Sequence, residues 1–137
     1  MISRELAARL RDAGLRWHPR AGDQFQLASA DMESTGSDVF TVSDMTIEAH
    51  EYSTGTVLGF NGTTEWALDS VAIGDALWFP REDQLREALK ATFVQLERSG
   101  DGWVVTTRFR GDERRFEAVQ AEDAYALALL EQVLASA

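Results

Sequence analysis

Three runs near the carboxyl end, Phe93–Arg98, Trp103–Arg110 and Arg114–Val119, are separated only by Ser99-Gly100-Asp101-Gly102 and by a turn at Gly111-Asp112. A parallel pairing needs a crossover of a dozen residues or more, and neither connection has room for one. Glycine-rich turns between strand-like runs are a hairpin signature, so the three runs predict an antiparallel meander. Such a sheet is stable only when helices or another layer cover one of its faces. Helical patterns lie on both sides of it. Pro80 leads into a predicted helix from about Arg81 to Thr92, with Glu82 and Asp83 in its first turn and Leu85, Ala88 and Leu89 as its apolar stripe. A second helix is predicted from about Ala121 to Leu134, with Ala124, Leu127, Ala128, Leu130 and Leu134 apolar.

The amino-terminal part is read the same way. Residues 3–13 predict a helix: Ser3 is a suitable N-cap, Ile2 is placed for a hydrophobic staple, and Leu6, Ala7, Leu10 and Ala13 give one apolar face. Gly14 sits where a left-handed C-terminal residue would stop it. Pro19 biases the segment Leu15–Pro19 towards extended backbone, with Trp17 plugging the core and His18 solvated. Strands are expected at residues 24–27, Val39–Val42, Met45–Tyr52, Thr56–Phe60 and Ala76–Phe79, with a break at Ser43-Asp44 and a mobile loop from Ser29 to Asp38. Ser53-Thr54-Gly55 closes a hairpin, and Asn61-Gly62 is a strong turn dipeptide. Thr63–Val71 fits a short helix or an irregular strand. The fold class expected is therefore α+β: a mostly antiparallel sheet, hairpin plus three-strand meander, with about three helices. At 137 residues the chain suits a single domain, 1–137, able to hide roughly two-thirds of its unfolded surface. A division near Pro80 would leave two small lobes.

Charge is distributed unevenly. From Ala21 to Pro80 there is no Lys and no Arg, while ten carboxylates fall in that stretch. The remaining residues hold all 13 basic side chains and the other 13 acids, so the whole formal charge of −10 belongs to the middle. A region of one sign attracts cations or basic partners. It disfavours nucleic acid, whose phosphates need clustered cations, and it disfavours anionic membrane surfaces. The chain has no cysteine, which excludes disulfides and thiolate chemistry and fits a reducing cytoplasm. Residues 1–20 have neither the apolar stretch nor the cleavage site of a signal peptide, and no run approaches the ~20 apolar residues of a membrane span.

Motifs for catalysis are sparse. Neither G-x-x-x-x-G-K-[ST] nor G-x-G-x-x-G occurs, which argues against common nucleotide sites, and there is no G-x-S-x-G elbow. Glu48 and His50 are two apart on a predicted strand, with Asp44 and Glu51 nearby; a histidine with carboxylates suits a divalent metal, yet two histidines and no H-E-x-x-H leave these better read as a solvent face. Asp31, Glu33, Asp38 and Asp44 lack EF-hand spacing. Glu65 and Asp69 would share a helix face beside Trp66 if that segment is helical, where a carboxylate pair can split its pKa values; surface acids over a core tryptophan are the plainer reading. Asn61-Gly62-Thr63 matches a glycosylation pattern without the secretory context to use it. Arg108, Arg110, Arg114 and Arg115 form the one basic cluster, read as a counterweight to the acidic half.

At Phe60-Asn61-Gly62-Thr63-Thr64-Glu65-Trp66-Ala67-Leu68-Asp69-Ser70-Val71, followed by Trp78-Phe79-Pro80-Arg81-Glu82-Asp83-Gln84-Leu85-Arg86, the chain resembles an uncharacterised family of small acidic bacterial proteins, some labelled as pilus-assembly proteins. The resemblance implies a cytoplasmic accessory role. That label normally belongs to larger proteins with a receiver-like part and a nucleotide-binding part, and neither pattern is present here, so no functional residue is carried over. The function expected is a non-catalytic acidic binding or regulatory module that docks a basic protein surface through Asp44, Glu48, Glu51, Glu65 and Asp69, with self-association open to it and with no cofactor or metal. The alternatives are a small metal-dependent hydrolase using His50 and Glu48, and a small-ligand binder with an aromatic pocket near Trp66 and Trp78.

Overall fold

In a computed structural model of the chain, residues 1–27, 39–42, 47–52, 55–60, 70–72 and 76–136 are described, of which 47–52, 55–60 and 70–72 are described by their backbone. The contacts between residues group the chain into two units, one made of Met1–Arg16 with Pro80–Ala137 and one made of Trp17–Phe79. The second is thus inserted, in sequence, into the first.

The first unit has the expected helix, meander, helix order. Helix α1 is Arg4–Ala13, α2 is Glu82–Leu89 and α3 is Ala121–Ala135; strands β7 (Phe93–Ser99), β8 (Gly102–Phe109) and β9 (Asp112–Ala118) form an antiparallel sheet with β8 central. (Strands β1 to β6 belong to the inserted unit.) At the start of α1 the Ser3 hydroxyl accepts the Leu6 amide at 3.3 Å. At its end Gly14, at φ 114°, donates to the Arg11 carbonyl while Leu15 donates to that of Leu10, so orphan carbonyls are satisfied. The Ser3 amide donates to Asp123 Oδ1 at 2.7 Å, and the Met1 ammonium pairs with Glu122, which ties the start of α1 to the first turn of α3. Burial pushes the Glu122 carboxyl up, but hydrogen bonds from the ammonium and from the backbone outweigh it and hold the group below its ordinary value.

Helix α2 is shorter than the sequence suggested. Lys90 stands at φ 55°, and Lys90–Thr92 tightens into a 3₁₀ turn. The Thr92 hydroxyl donates to the Leu89 carbonyl at 2.6 Å and accepts from Gln132 Nε2 at 2.9 Å, so a β-branched residue that helices tolerate poorly serves as a plug for the helix end. Helix α3 is buried at Ala121, Ala124, Tyr125, Ala126, Ala128, Leu129 and Leu130, positions that run round the helix. The cause is its central place: β8, β9, α1 and α2 all pack against it. Its many alanines let those neighbours approach closely.

The β7–β8 turn uses Gly100 at φ 58°, and Gly102 opens β8. A methyl group at Gly102 would lie 2.5 Å from the Ala118 carbonyl oxygen, a backbone atom that cannot swing aside. We expect Gly102→Ala to cost about 2 kcal/mol, as overpacking does. Urea unfolding tests this; a loss below about 0.5 kcal/mol would show that the strand end yields freely.

The second unit holds two three-stranded antiparallel sheets. In one, β1 (Gln24–Leu27) is central, flanked by β2 (Phe40–Thr41) and β6 (Ala76–Phe79), with Phe25 opposite both Phe40 and Trp78. Phe25, Val42 and Ala76 are its buried centre, and Trp17, Leu27 and Phe40 pack around them. In the other, β3 (Ile47–Tyr52) and β4 (Gly55–Phe60) make the predicted hairpin, in register from Ile47↔Phe60 to Tyr52↔Gly55, and β5 (Ser70–Ala72) adds to β4. The ambiguous segment Thr63–Val71 therefore ends in a strand, while its residues 63–69 lie outside the described residues, as do the Ser29–Asp38 loop, the Ser43-Asp44 break and the Asn61-Gly62 turn. The chain is α+β with predominantly antiparallel pairing, as its pattern required, and its described strands form three separate sheets.

Candidate functional site

The acidic stretch and the second unit nearly coincide. Trp17–Phe79 holds ten carboxylates and one cation, Arg20, for a formal −9, whereas the first unit holds 13 carboxylates and 12 cations, for −1. The charge imbalance read along the sequence therefore falls within the bounds of the second unit.

Not every acid of that unit is available. Asp23 is 1% exposed. Its Oδ2 accepts the Trp17 indole N–H at 2.9 Å and the Arg20 amide at 3.1 Å, and its own amide donates to the Arg20 carbonyl. A carboxylate can be buried where several donors converge on it, and here the sequence supplies them locally: the turn at Ala21-Gly22 brings the Arg20 amide to Asp23. Asp23 belongs to the framework. His18, between these partners, is exposed as expected, and Trp17 packs into the core.

Of the five proposed docking acids, Glu48 and Glu51 fall on β3, opposite Gly59 and Thr56 respectively; Asp44, Glu65 and Asp69 lie outside the described residues. His50, the base of the hydrolase alternative, stands opposite Val57 on the same strand. Among the described residues no group of three His or acidic side chains is placed to hold a metal ion. For the aromatic-pocket alternative, Trp66 lies outside the described residues, and Trp78 stacks on Trp17 with ring centres 6.2 Å apart and planes 8° from parallel. Sequence reasoning missed the pair because Trp17 and Trp78 are far apart in the chain and meet only through the β1–β6 pairing.

The arginine cluster takes carboxylates from its own unit. Arg108 meets Glu113 at 3.6 Å, Arg114 meets Glu131 at 3.3 Å and Arg115 meets Glu97 at 3.0 Å. All three pairs are exposed and contribute little to stability, but they consume cations that the charge count had assigned to the acidic half. In the same unit the Arg86 guanidinium donates to the buried Tyr125 hydroxyl at 3.4 Å, and this contact raises its pKa further above the ordinary value.

Comparison with protein-family models, with curated proteins and with solved structures finds no match to this chain. No helix among the described residues is long and apolar enough to cross a membrane.

Proposed function

We propose that Trp17–Phe79 is an acidic docking unit, and that the protein is a non-catalytic regulatory or accessory module which engages a basic protein surface. A part in pilus assembly rests on the family resemblance, and a cytoplasmic setting on that resemblance together with the lack of cysteine. The observation that supports the reading is the partition of charge: a formal −9 on one folded unit, against −1 on the other. A field of one sign speeds encounter with a complementary surface and fixes its orientation. Glu48, Glu51, Asp44, Glu65 and Asp69 are the acids assigned to this task; Asp23 is excluded by its burial.

The test begins with capture of partners from lysate at low and high salt. The triple variant Glu48→Gln, Glu51→Gln, Asp69→Asn is expected to slow association with the captured partner by about tenfold at low salt and to flatten its salt dependence. Association that is equally fast and equally salt-sensitive in the variant would remove the reading.

A further inference from the structure

Between β8, β9 and α3, within the first unit, lies a cleft of about 160 Å³. Four charged residues line it, and two of them answer each other: Arg114 and Glu131 are 3.3 Å apart. The other two, Arg110 and Asp112, have no ion-pair partner among the described residues. Phe116 and Ala128 give the wall an apolar part.

Arg110 is an unexpected residue for its place. It shares a two-residue hairpin turn with Gly111, at φ 54° and 84°, between Phe109 and its strand partner Asp112. Turns with both central residues at positive φ favour Asn-Gly, because a larger side chain there crowds the following carbonyl. The arginine is nonetheless held in this strained conformation, its guanidinium 4.9 Å from the centre of the Phe109 ring. Lys90, at the end of α2, is the other non-glycine residue described at a positive φ, but Arg110 is the one that lines a cleft. A guanidinium resting on an aromatic ring is oriented in advance, and its planar fork matches a carboxylate.

We propose that this cleft binds a free α-amino acid with an apolar or aromatic side chain. The ligand carboxylate lies on the Arg110 fork, its ammonium faces Asp112, and its side chain rests against Phe116 and Ala128. This assignment gives both unanswered charges a partner, and it explains why the lining sums to no net charge. The cleft, at about 160 Å³, has room for one aromatic ring, which leaves the charged end of the ligand with the exposed Arg110 and Asp112.

Calorimetric titration of the intact chain with L-phenylalanine, phenylacetate and 2-phenylethylamine tests the proposal. L-Phenylalanine is expected to bind about threefold more tightly than either singly charged analogue, since each analogue makes only one of the two ion pairs with the exposed Arg110 and Asp112. Arg110→Asn is the decisive variant, because relief of the turn should raise Tm by about 3 °C while weakening L-phenylalanine by about threefold. Asp112→Asn should weaken L-phenylalanine and leave phenylacetate unchanged. No heat of binding for L-phenylalanine, equal affinity for phenylacetate, or an Arg110→Asn variant that is more stable and binds as before would each overturn the assignment.

Discussion

Asp23→Ala is expected to destabilise the Trp17–Phe79 unit by about 3 kcal/mol. The substitution removes an acceptor that two donors share, the Trp17 indole at 2.9 Å and the Arg20 amide at 3.1 Å, at a residue only 1% exposed. Each buried donor left without a partner costs about 1–3 kcal/mol, and a hydrogen bond to a charged acceptor is worth more than one between neutral groups. Asp23→Asn keeps an acceptor oxygen of the same shape and should cost no more than about half as much. Urea unfolding followed by tryptophan fluorescence measures both, since Trp17 reports on its own environment. The acid also separates framework from function: with folding maintained at low temperature, Asp23→Asn should leave the salt dependence of partner association intact, whereas neutralising Glu48 and Glu51 should reduce it. Equal stability of Asp23→Ala and wild type would mean that water or another donor arrangement replaces the carboxylate at no cost.

What the sequence disclosed depended on distance along the chain. The cap of α1 at Ser3, its stop at Gly14 and the β7–β8 and β3–β4 hairpins are set by residues a few positions apart, and each was readable from turn and capping chemistry. The sheet built on β1 was not readable in its pairing. Gln24–Leu27 lies against Ala76–Phe79, about fifty residues later, and nothing local to either strand encodes that register. The end of α2 was misjudged for a different reason: no glycine or proline follows Leu89 to mark a stop, but the Thr92 hydroxyl and the Lys90 backbone close the helix there. The same contrast holds for the candidate site. A charge block is visible in any sequence, so the acidic unit could be seen. The withdrawal of Asp23 from it could not, because its burial against the Trp17 indole is a product of the fold and leaves no mark on the run of charge. Nor does any propensity predict arginine at a positive φ, which is why Arg110 was grouped with its neighbours as plain basic charge.

Tyr125→Ala should cost about 4 kcal/mol and be the most damaging substitution considered for the first unit, in line with the ~3–5 kcal/mol typical of buried aromatic residues truncated to alanine. Tyr125 is fully buried, its ring centre is 5.6 Å from that of Phe93, and it stands on the helix against which β8, β9, α1 and α2 all pack. A cavity there has rigid neighbours on several sides, so the surroundings can relax only partly. Tyr125→Phe isolates the hydroxyl. Its contact with Arg86 is long, at 3.4 Å, and the Arg86 side chain is 46% exposed, so water can replace the lost acceptor and the cost should stay near 1 kcal/mol. The ratio of the two losses, read from urea unfolding of both variants, decides what Tyr125 does. A large gap means that the ring fills the core and the hydroxyl merely avoids being orphaned. Equal losses would move the weight to the Arg86 contact, and α2 would then be anchored to α3 by a hydrogen bond and not by its buried Leu85 and Leu89.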